Sequence, residues 1–437
     1  MNDSVSLVRY RASYHTLGCK LNFAETSAIG RALAEHGILR AVPGEIPDIC
    51  VVNTCSVTET ADRKCRHLIR SLHRKYPAAS IVVTGCYAQL NPGEISGLEG
   101  VEIVLGTGEK ARAAEYIGSW LFDRRKTVDV TPAKEIREFS PSCERGDRTR
   151  FFLKIQDGCD YFCSYCTIPF ARGRSRSGTV EEICGLARRA ASEGGKEIII
   201  TGVNIGDFGR GKDRGFFDLI RSLDAVEGIE RFRISSIEPN LLTPDMIRWI
   251  ASESRAFMPH FHIPLQSGSD TVLKMMGRRY DTDLFRSRVE LIRELIPDAH
   301  IGVDVIAGAR GESGAEWRKS LAFIESLPVT RLHVFPYSER PGTRALSLPG
   351  AVPVEERHRR VAELMAVSDG KLQAFSLSQV GKTRSVLWER PHETGRLQGL
   401  TDNYLRVVAA CDPSMVNTIS NVILTDADGD VCEGTVI

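Results

Sequence analysis

No stretch of this chain stays apolar for the roughly 20 residues that a bilayer-spanning helix needs. The opening MNDSVSLVRYRASYHT also lacks the apolar core of a secretory signal, so a cytoplasmic protein without a membrane partner is expected. Charge of one sign is missing too: 57 Lys and Arg against 56 Asp and Glu leave a formal net charge of +1. That balance excludes a surface that attracts nucleic acid everywhere, and any RNA-binding face must be local. There is no internal repeat and no low-complexity tract. At 437 residues the chain is long enough for two to four folded domains of about 100–200 residues each.

What is present is cysteine. Twelve in a reducing compartment are poor material for a disulfide framework, so clustered ones read first as metal ligands or redox groups. Their placement follows from the element pattern. Residues 1–130 alternate short apolar runs with amphipathic segments, which predicts an α/β domain with a parallel sheet. A polar stretch over 131–148, with Pro132, Pro141 and Gly146, reads as a linker. Residues 149–375 carry six strand-like runs separated by helical patterns, which predicts a partial (β/α)6 barrel rather than a closed eightfold one. From 376 to 437 the helices stop and turn residues separate short strands, as in a small antiparallel β-barrel.

Cys159-Asp-Tyr-Phe-Cys163-Ser-Tyr-Cys166 follows the first strand of the six-unit barrel, and such barrels do their chemistry in the loops at the carboxyl ends of strands. Three close thiolates can hold three irons of a [4Fe–4S] cluster and leave the fourth open. A zinc knuckle is the alternative, with His260 or His262 as a distant completing ligand. Cys19, Cys55 and Cys86 each follow an apolar strand of the first domain. In a parallel sheet these positions share one carboxyl edge, where open α/β folds bind ligands. Singly each could be a packed small residue; together they point to a second cluster. Cys50 and Cys184 read as buried thiols, and Cys65 stands near Cys55 without being needed.

CDYFCSYC resembles the C-x3-C-x2-C signature of radical S-adenosylmethionine enzymes, and the arrangement of Cys19, Cys55 and Cys86 resembles the amino-terminal domain of the methylthiotransferase family among them. ARGRSRSG, ITGVNIGDFG, RISSIEP, HFHIPLQSGSD, KMMGRRY and HVFPYSERPGT extend the likeness over nearly the whole chain, whereas VDVIAGARGE at 303–312 departs from the IVGFPGE-like text of many members. The resemblance implies a radical S-adenosylmethionine cluster on Cys159, Cys163 and Cys166, and an auxiliary sulfur-supplying cluster on Cys19, Cys55 and Cys86. It also implies reductive cleavage of S-adenosylmethionine and an electron donor such as flavodoxin or ferredoxin. The last domain, GKTRSVLWER followed by GRLQGLTDNYLRVV, resembles a TRAM domain, which implies RNA binding.

The cofactor's ribose and methionyl groups need polar partners, for which Ser236, Glu238 and Gln266 are candidates; for Glu238 a solvated carboxylate is the alternative. Arg172, Arg174 and Arg176 could meet the cofactor carboxylate, RNA phosphates or only solvent. In the last domain Lys382, Arg384, Arg390, Arg396 and Arg406 suit phosphate contacts, and Trp388 and Tyr404 read as core. NTCSVTETADRKCR with TLGCKLNFAE resembles the branch that methylthiolates N6-threonylcarbamoyladenosine, next to the anticodon in a tRNA stem-loop. Branches acting on isopentenyladenosine in tRNA, or on an aspartate of a ribosomal protein, are the alternatives.

Overall fold

The apolar runs of the first domain are too continuous for strands exposed on one face, so they demand helices on both. A computed structural model of the chain, describing residues 10–392 and 395–437, has that arrangement. Residues 1–9 of the expected first domain lie outside the described residues. Strands β1 (Arg11–Thr16), β2 (Leu39–Arg40), β3 (Ile49–Thr54), β4 (Ser80–Gly85), β5 (Val101–Leu105) and β6 (Thr127–Asp129) form one parallel sheet in the order β2-β1-β3-β4-β5-β6. Helix Lys20–Glu35 covers one face, with Ile29 and Leu33 on Val51 and Val82; helix Glu59–Lys75 covers the other, with Cys65 and Ile69 on Val52 and Ile81.

The second domain contains β7 (Ser142–Glu144), β8 (Phe151–Lys154), β9 (Gln156–Asp157), β10 (Arg176–Ser177), β11 (Glu197–Thr201), β12 (Arg231–Ile234), β13 (His260–Gln266), β14 (His300–Ala307) and β15 (Arg331–Pro336). The parallel triplets β8-β11-β12 and β13-β14-β15 meet through the parallel Ser236–His262 bridge, giving an open arc of six βα units. The stretch expected as a linker is corrected by β7, which pairs antiparallel with β8 and buries Cys143 in the core. Its polar composition hid three residues that complete the sheet edge.

Side-chain alternation along β8 decides how the first two domains meet. Phe151 and Leu153 join the core beneath helix Val180–Ser192, so Phe152 points to the inside of the arc. There it meets Phe23 and Ala24 of helix Lys20–Glu35, with the Phe23 and Phe152 rings 5.0 Å apart. The first domain thus fills part of the barrel's interior.

Helix Val354–Gln379 then runs from the core, where it places Leu364, to the last domain, where Leu372 and Phe375 join the barrel interior. That barrel closes β16 (Thr383–Pro391), β17 (Leu397–Thr401), β18 (Arg406–Ala409), β20 (Val431–Val436) and β19 (Ile419–Asp428) in this order. Every pair is antiparallel except β18 with β20, which run parallel. A closed ring of five strands cannot alternate direction throughout, so this small, mainly antiparallel barrel contains one parallel pair. Trp388 sits in this core as expected, its indole N–H donating to Ser420 Oγ at 2.8 Å. Among the described residues no helix is long and apolar enough to cross a membrane.

Candidate active site

Sheet register brings the amino-terminal cysteines together. Thr16, Asn53 and Thr84 are aligned across β1, β3 and β4, so Cys19, Cys55 and Cys86 emerge side by side from adjacent strand ends. The turns that follow are tight. Gly18 has φ +101°, and a Cβ there would stand 2.7 Å from Cys55 Cβ and 2.9 Å from its Sγ; Gly85, at φ +103°, has the Thr54 carbonyl in the same position. Asn22 stitches two of the turns, its amide donating to the Leu17 and Thr54 carbonyls at 2.8 and 3.0 Å. Burial pushes the Cys55 thiol up to about 12, with Cys86 and Cys19 adding to the effect. Cys19 is raised by burial as well, opposed by Arg172. Thiols that are costly to ionise alone, as those of Cys19 and Cys55 are, gain a partner when a cationic iron cluster takes them, and Cys86 stands beside them, so the donor set fits one. Cys65, also buried, donates its S–H to the Cys55 carbonyl at 3.4 Å.

The second set lies in the loop between β9 and β10, at the carboxyl end of β8. Gly158, at φ +71°, starts the loop where a Cβ would run into the Arg174 carbonyl, and Phe162 takes a left-handed φ of +51°. Cys159 N–H donates to the Gly173 carbonyl at 3.1 Å and Cys166 N–H to that of Cys163 at 3.0 Å. Tyr161 N–H donates to Cys159 Sγ at 3.4 Å and Arg278 Nη1 to Cys163 Sγ at 3.3 Å. Backbone and guanidinium donors to sulfur are the outer contacts that orient ligating thiolates. Burial pushes Cys159 and Cys166 up to about 12, the neighbouring thiols contributing. Among the described residues no three His, Cys, Asp or Glu side chains are grouped to hold one metal ion. Thiolates that each take a different iron of a cluster stand farther apart than ligands sharing one ion.

Around this loop, buried polar atoms lack partners: both side-chain atoms of Asn204, Asp207 Oδ2 and Asn240 Oδ1. Asn204 and Asp207 follow β11 at the barrel mouth, and the charge of Asp207 is felt at Cys159. Buried groups of this kind are normally satisfied, and a ligand with amino, carboxylate and hydroxyl groups would satisfy them, so the site fits S-adenosylmethionine. The three expected cofactor contacts sit at the same mouth. Ser236 follows β12; Glu238 is ion-paired with Arg278 instead of being solvated. Gln266 ends β13 at a register shift with φ +70°, a strained backbone of the type found at functional sites. Asn204, Asp207, Asn240 and Arg278 were not singled out from the sequence, although ITGVNIGDFG and KMMGRRY contain three of them.

The basic loop Arg172–Arg176 needs correction. Only Arg174 is exposed; Arg172 is buried between the domains, donating to Asn22 Oδ1 at 2.6 Å, Glu25 at 3.0 Å and Asp157 at 2.9 Å. Lys154 bridges Glu25 and Asp157 at 2.8 and 3.0 Å, and Lys110 and Arg176 complete the lattice. Glu25, on the helix that starts at Cys19, is held well below the usual carboxylate range by Arg172 and the two lysines, which overcome its desolvation. Thr167, next to Cys166, donates to the carbonyl of Ser56, next to Cys55, at 3.3 Å. The two cysteine sets therefore face a common junction held by charges and by a direct link between their loops.

The five basic candidates of the last domain divide. Lys382 reaches Asp298 at 2.6 Å, and Arg384 reaches Asp402 at 2.9 Å and Asp298 at 3.3 Å. Through Asp298 both fasten the barrel to the core. Arg396 pairs with Glu433, while Arg390 and Arg406 line an interior cavity, Arg406 lying 3.5 Å from Asp430. Tyr404, expected in the core, is outside the barrel's core; at φ +72° its ring lies 4.2 Å from that of His260, tilted by 32°, in that same cavity.

Two family profiles match the chain: "Uncharacterized protein family UPF0004" over residues 11–106 and "Radical SAM superfamily" over 153–324. A threonylcarbamoyladenosine tRNA methylthiotransferase MtaB of Bacillus subtilis is 37% identical, covering 97% of this chain and 95% of the relative. One of Aquifex aeolicus is 34% identical, covering 91% and 96%. A tRNA-2-methylthio-N(6)-dimethylallyladenosine synthase of Desulfitobacterium hafniense is 29% identical over 94% of each. Among solved structures, the radical S-adenosylmethionine methyltransferase TsrM of Kitasatospora setae shares the fold, with a TM-score of 0.57 and 15% identity over 77% of each chain.

Proposed function

Because the chain belongs to the threonylcarbamoyladenosine branch of the radical S-adenosylmethionine methylthiotransferases, we propose that it converts N6-threonylcarbamoyladenosine, next to the anticodon of a tRNA, to the 2-methylthio derivative. The observation that carries this reading is the convergence of two separate three-thiol sets on one buried junction. A binding protein has no use for two incompletely ligated clusters. Cys159, Cys163 and Cys166 would hold the cluster that binds S-adenosylmethionine, and Cys19, Cys55 and Cys86 the auxiliary one. When bound, these groups supply a low-potential electron, the 5′-deoxyadenosyl radical, the sulfur and the methyl group.

What the protein adds is placement. Arg278 donates to Cys163 and fixes Glu238, so one guanidinium orients a cluster ligand and a carboxylate suited to a ribose hydroxyl. Asn204, Asp207 and Asn240 offer their unpartnered atoms, with Ser236 and Gln266, to the cofactor's methionyl end and sugar. The Arg172 lattice closes the junction against water, which protects a radical from quenching. Carbon 2 of adenine lies on a base edge that an unpaired loop nucleotide can present to an enclosed site, in keeping with an anticodon stem-loop as partner. Flavodoxin or ferredoxin is the donor we expect, in the cytoplasm.

The test is anaerobic incubation of the reconstituted protein with tRNA bearing threonylcarbamoyladenosine, with tRNA bearing isopentenyladenosine, and with ribosomal protein, followed by mass spectrometry. Methylthio product on the first is expected. Product on either of the others and none on the first would overturn the substrate.

A further inference from the structure

Within the open barrel, between helix Lys20–Glu35 and strands β13 to β15, lies a cavity of about 840 Å³ to which all three domains contribute. It is roomy enough for a modified nucleoside. Lys20 lines it, next in the chain to Cys19. Thr16, at the end of the strand that leads to Cys19, lines it too, so the cavity reaches the carboxyl edge of β1.

Its walls hold polar groups without partners. Among the described residues the Lys20 ammonium makes no hydrogen bond or ion pair; what it meets is the face of Tyr404, 5.9 Å away. His260 and His300 are more than nine-tenths buried, and Nδ1 of each is unpartnered. His262 on the same strand differs, being bonded to Asp304 at 2.7 Å. Burial keeps His260 and His300 neutral, their pKa lying far below the usual histidine range, so each offers one ring N–H and adds no charge. Buried imidazole nitrogens without partners are normally satisfied, and a ligand that reached them would also meet the Lys20 ammonium.

Resting on the function proposed above, we propose that this cavity receives the N6 substituent of the substrate adenosine, and that Lys20, helped by His260 and His300, reads the substituent's carboxylate. A threonylcarbamoyl group carries a carboxylate, a hydroxyl and urea N–H and C=O groups. An isopentenyl group has none of these and would strip water from the same polar atoms without replacing it. A site built to hydrogen-bond its ligand rejects the analogue that lacks the bonding group far more strongly than an apolar pocket rejects an extra group. Lys20 thereby becomes a specificity-determining residue placed one position from a cluster ligand.

The competing source of the same chemistry is an RNA phosphate, and the test separates the two by altering only the carboxylate. Full-length reconstituted protein is titrated with an anticodon stem-loop RNA carrying threonylcarbamoyladenosine, and with the same RNA carrying its methyl ester. Wild type should bind the acid at least about tenfold more tightly than the ester, the scale of one charge-assisted hydrogen bond. Lys20→Met should bind both at the ester's level with iron content and 5′-deoxyadenosine formation retained, and Lys20→Arg should restore most of the preference. Should Lys20→Met lose iron, the wild-type comparison decides alone. Equal binding of acid and ester by wild type that still converts the acid would overturn the carboxylate assignment only. A Lys20→Met protein that keeps the tenfold preference would do so as well. Conversion of isopentenyl RNA and not of threonylcarbamoyl RNA would instead overturn the function on which the assignment rests.

Discussion

Cys159, Cys163 and Cys166 share one loop and are oriented largely by that loop's own backbone, whereas Cys19, Cys55 and Cys86 come from three strands and depend on the register of a sheet. The local set has a fixed spacing that any fold must respect. The distributed set exists only if β1, β3 and β4 pair as they do and if Gly18 and Gly85 let the turns approach. One site should therefore fail through its ligands, the other also through residues that touch no iron.

The largest effect should come from replacing Cys159, Cys163 and Cys166 together by alanine. Iron should fall from about eight to about four per chain, and 5′-deoxyadenosine should disappear under reducing conditions. Persistent cofactor cleavage in that variant would rule out this loop as the radical site.

Next in size is Arg172→Met, which leaves Glu25 and Asp157 short of a buried cation. Removing one partner from a buried charge network costs about 3–5 kcal/mol, so thermal melting of the metal-free protein should show a clear drop. An unchanged melting temperature would mean that the lattice does not hold the junction. Gly18→Ala should cost less, about 1–3 kcal/mol for forcing a side chain into a disfavoured backbone region. It should cut iron at the auxiliary site while sparing cofactor cleavage; loss of both functions would show that the two sites are not independent. Smallest of all is Cys65→Ala. It removes one hydrogen bond worth about 1 kcal/mol and should leave iron content unchanged. A loss of iron would make Cys65 a ligand.

The same contrast explains what could be read from the sequence. The Cys159–Cys166 spacing is visible because the three thiols there are neighbours, and Cys19, Cys55 and Cys86 became visible once strand ends were aligned on a parallel sheet. Asn204, Asp207 and Asn240 stayed hidden, since an asparagine after a strand looks like any turn residue until the fold buries it. Arg172 misled for a related reason: in ARGRSRSG it looks solvated, and its partners Asn22 and Glu25 lie on a distant helix, with Asp157 beside them. Lys382 and Arg384 looked free for RNA because Asp298, their partner, belongs to another domain. The short strand β7 was masked by prolines and charges around Ser142–Glu144. Local chemistry was legible, whereas long-range pairing of charges was not.

The most direct measurement of the central claim, two cluster sites with separable work, is to quantify both products in one reaction of the Cys19→Ala, Cys55→Ala, Cys86→Ala triple variant with threonylcarbamoyl tRNA. The account predicts 5′-deoxyadenosine at near wild-type level, no 2-methylthio nucleoside and about half the iron. Methylthio nucleoside formed by this variant, or iron content equal to wild type, would contradict it.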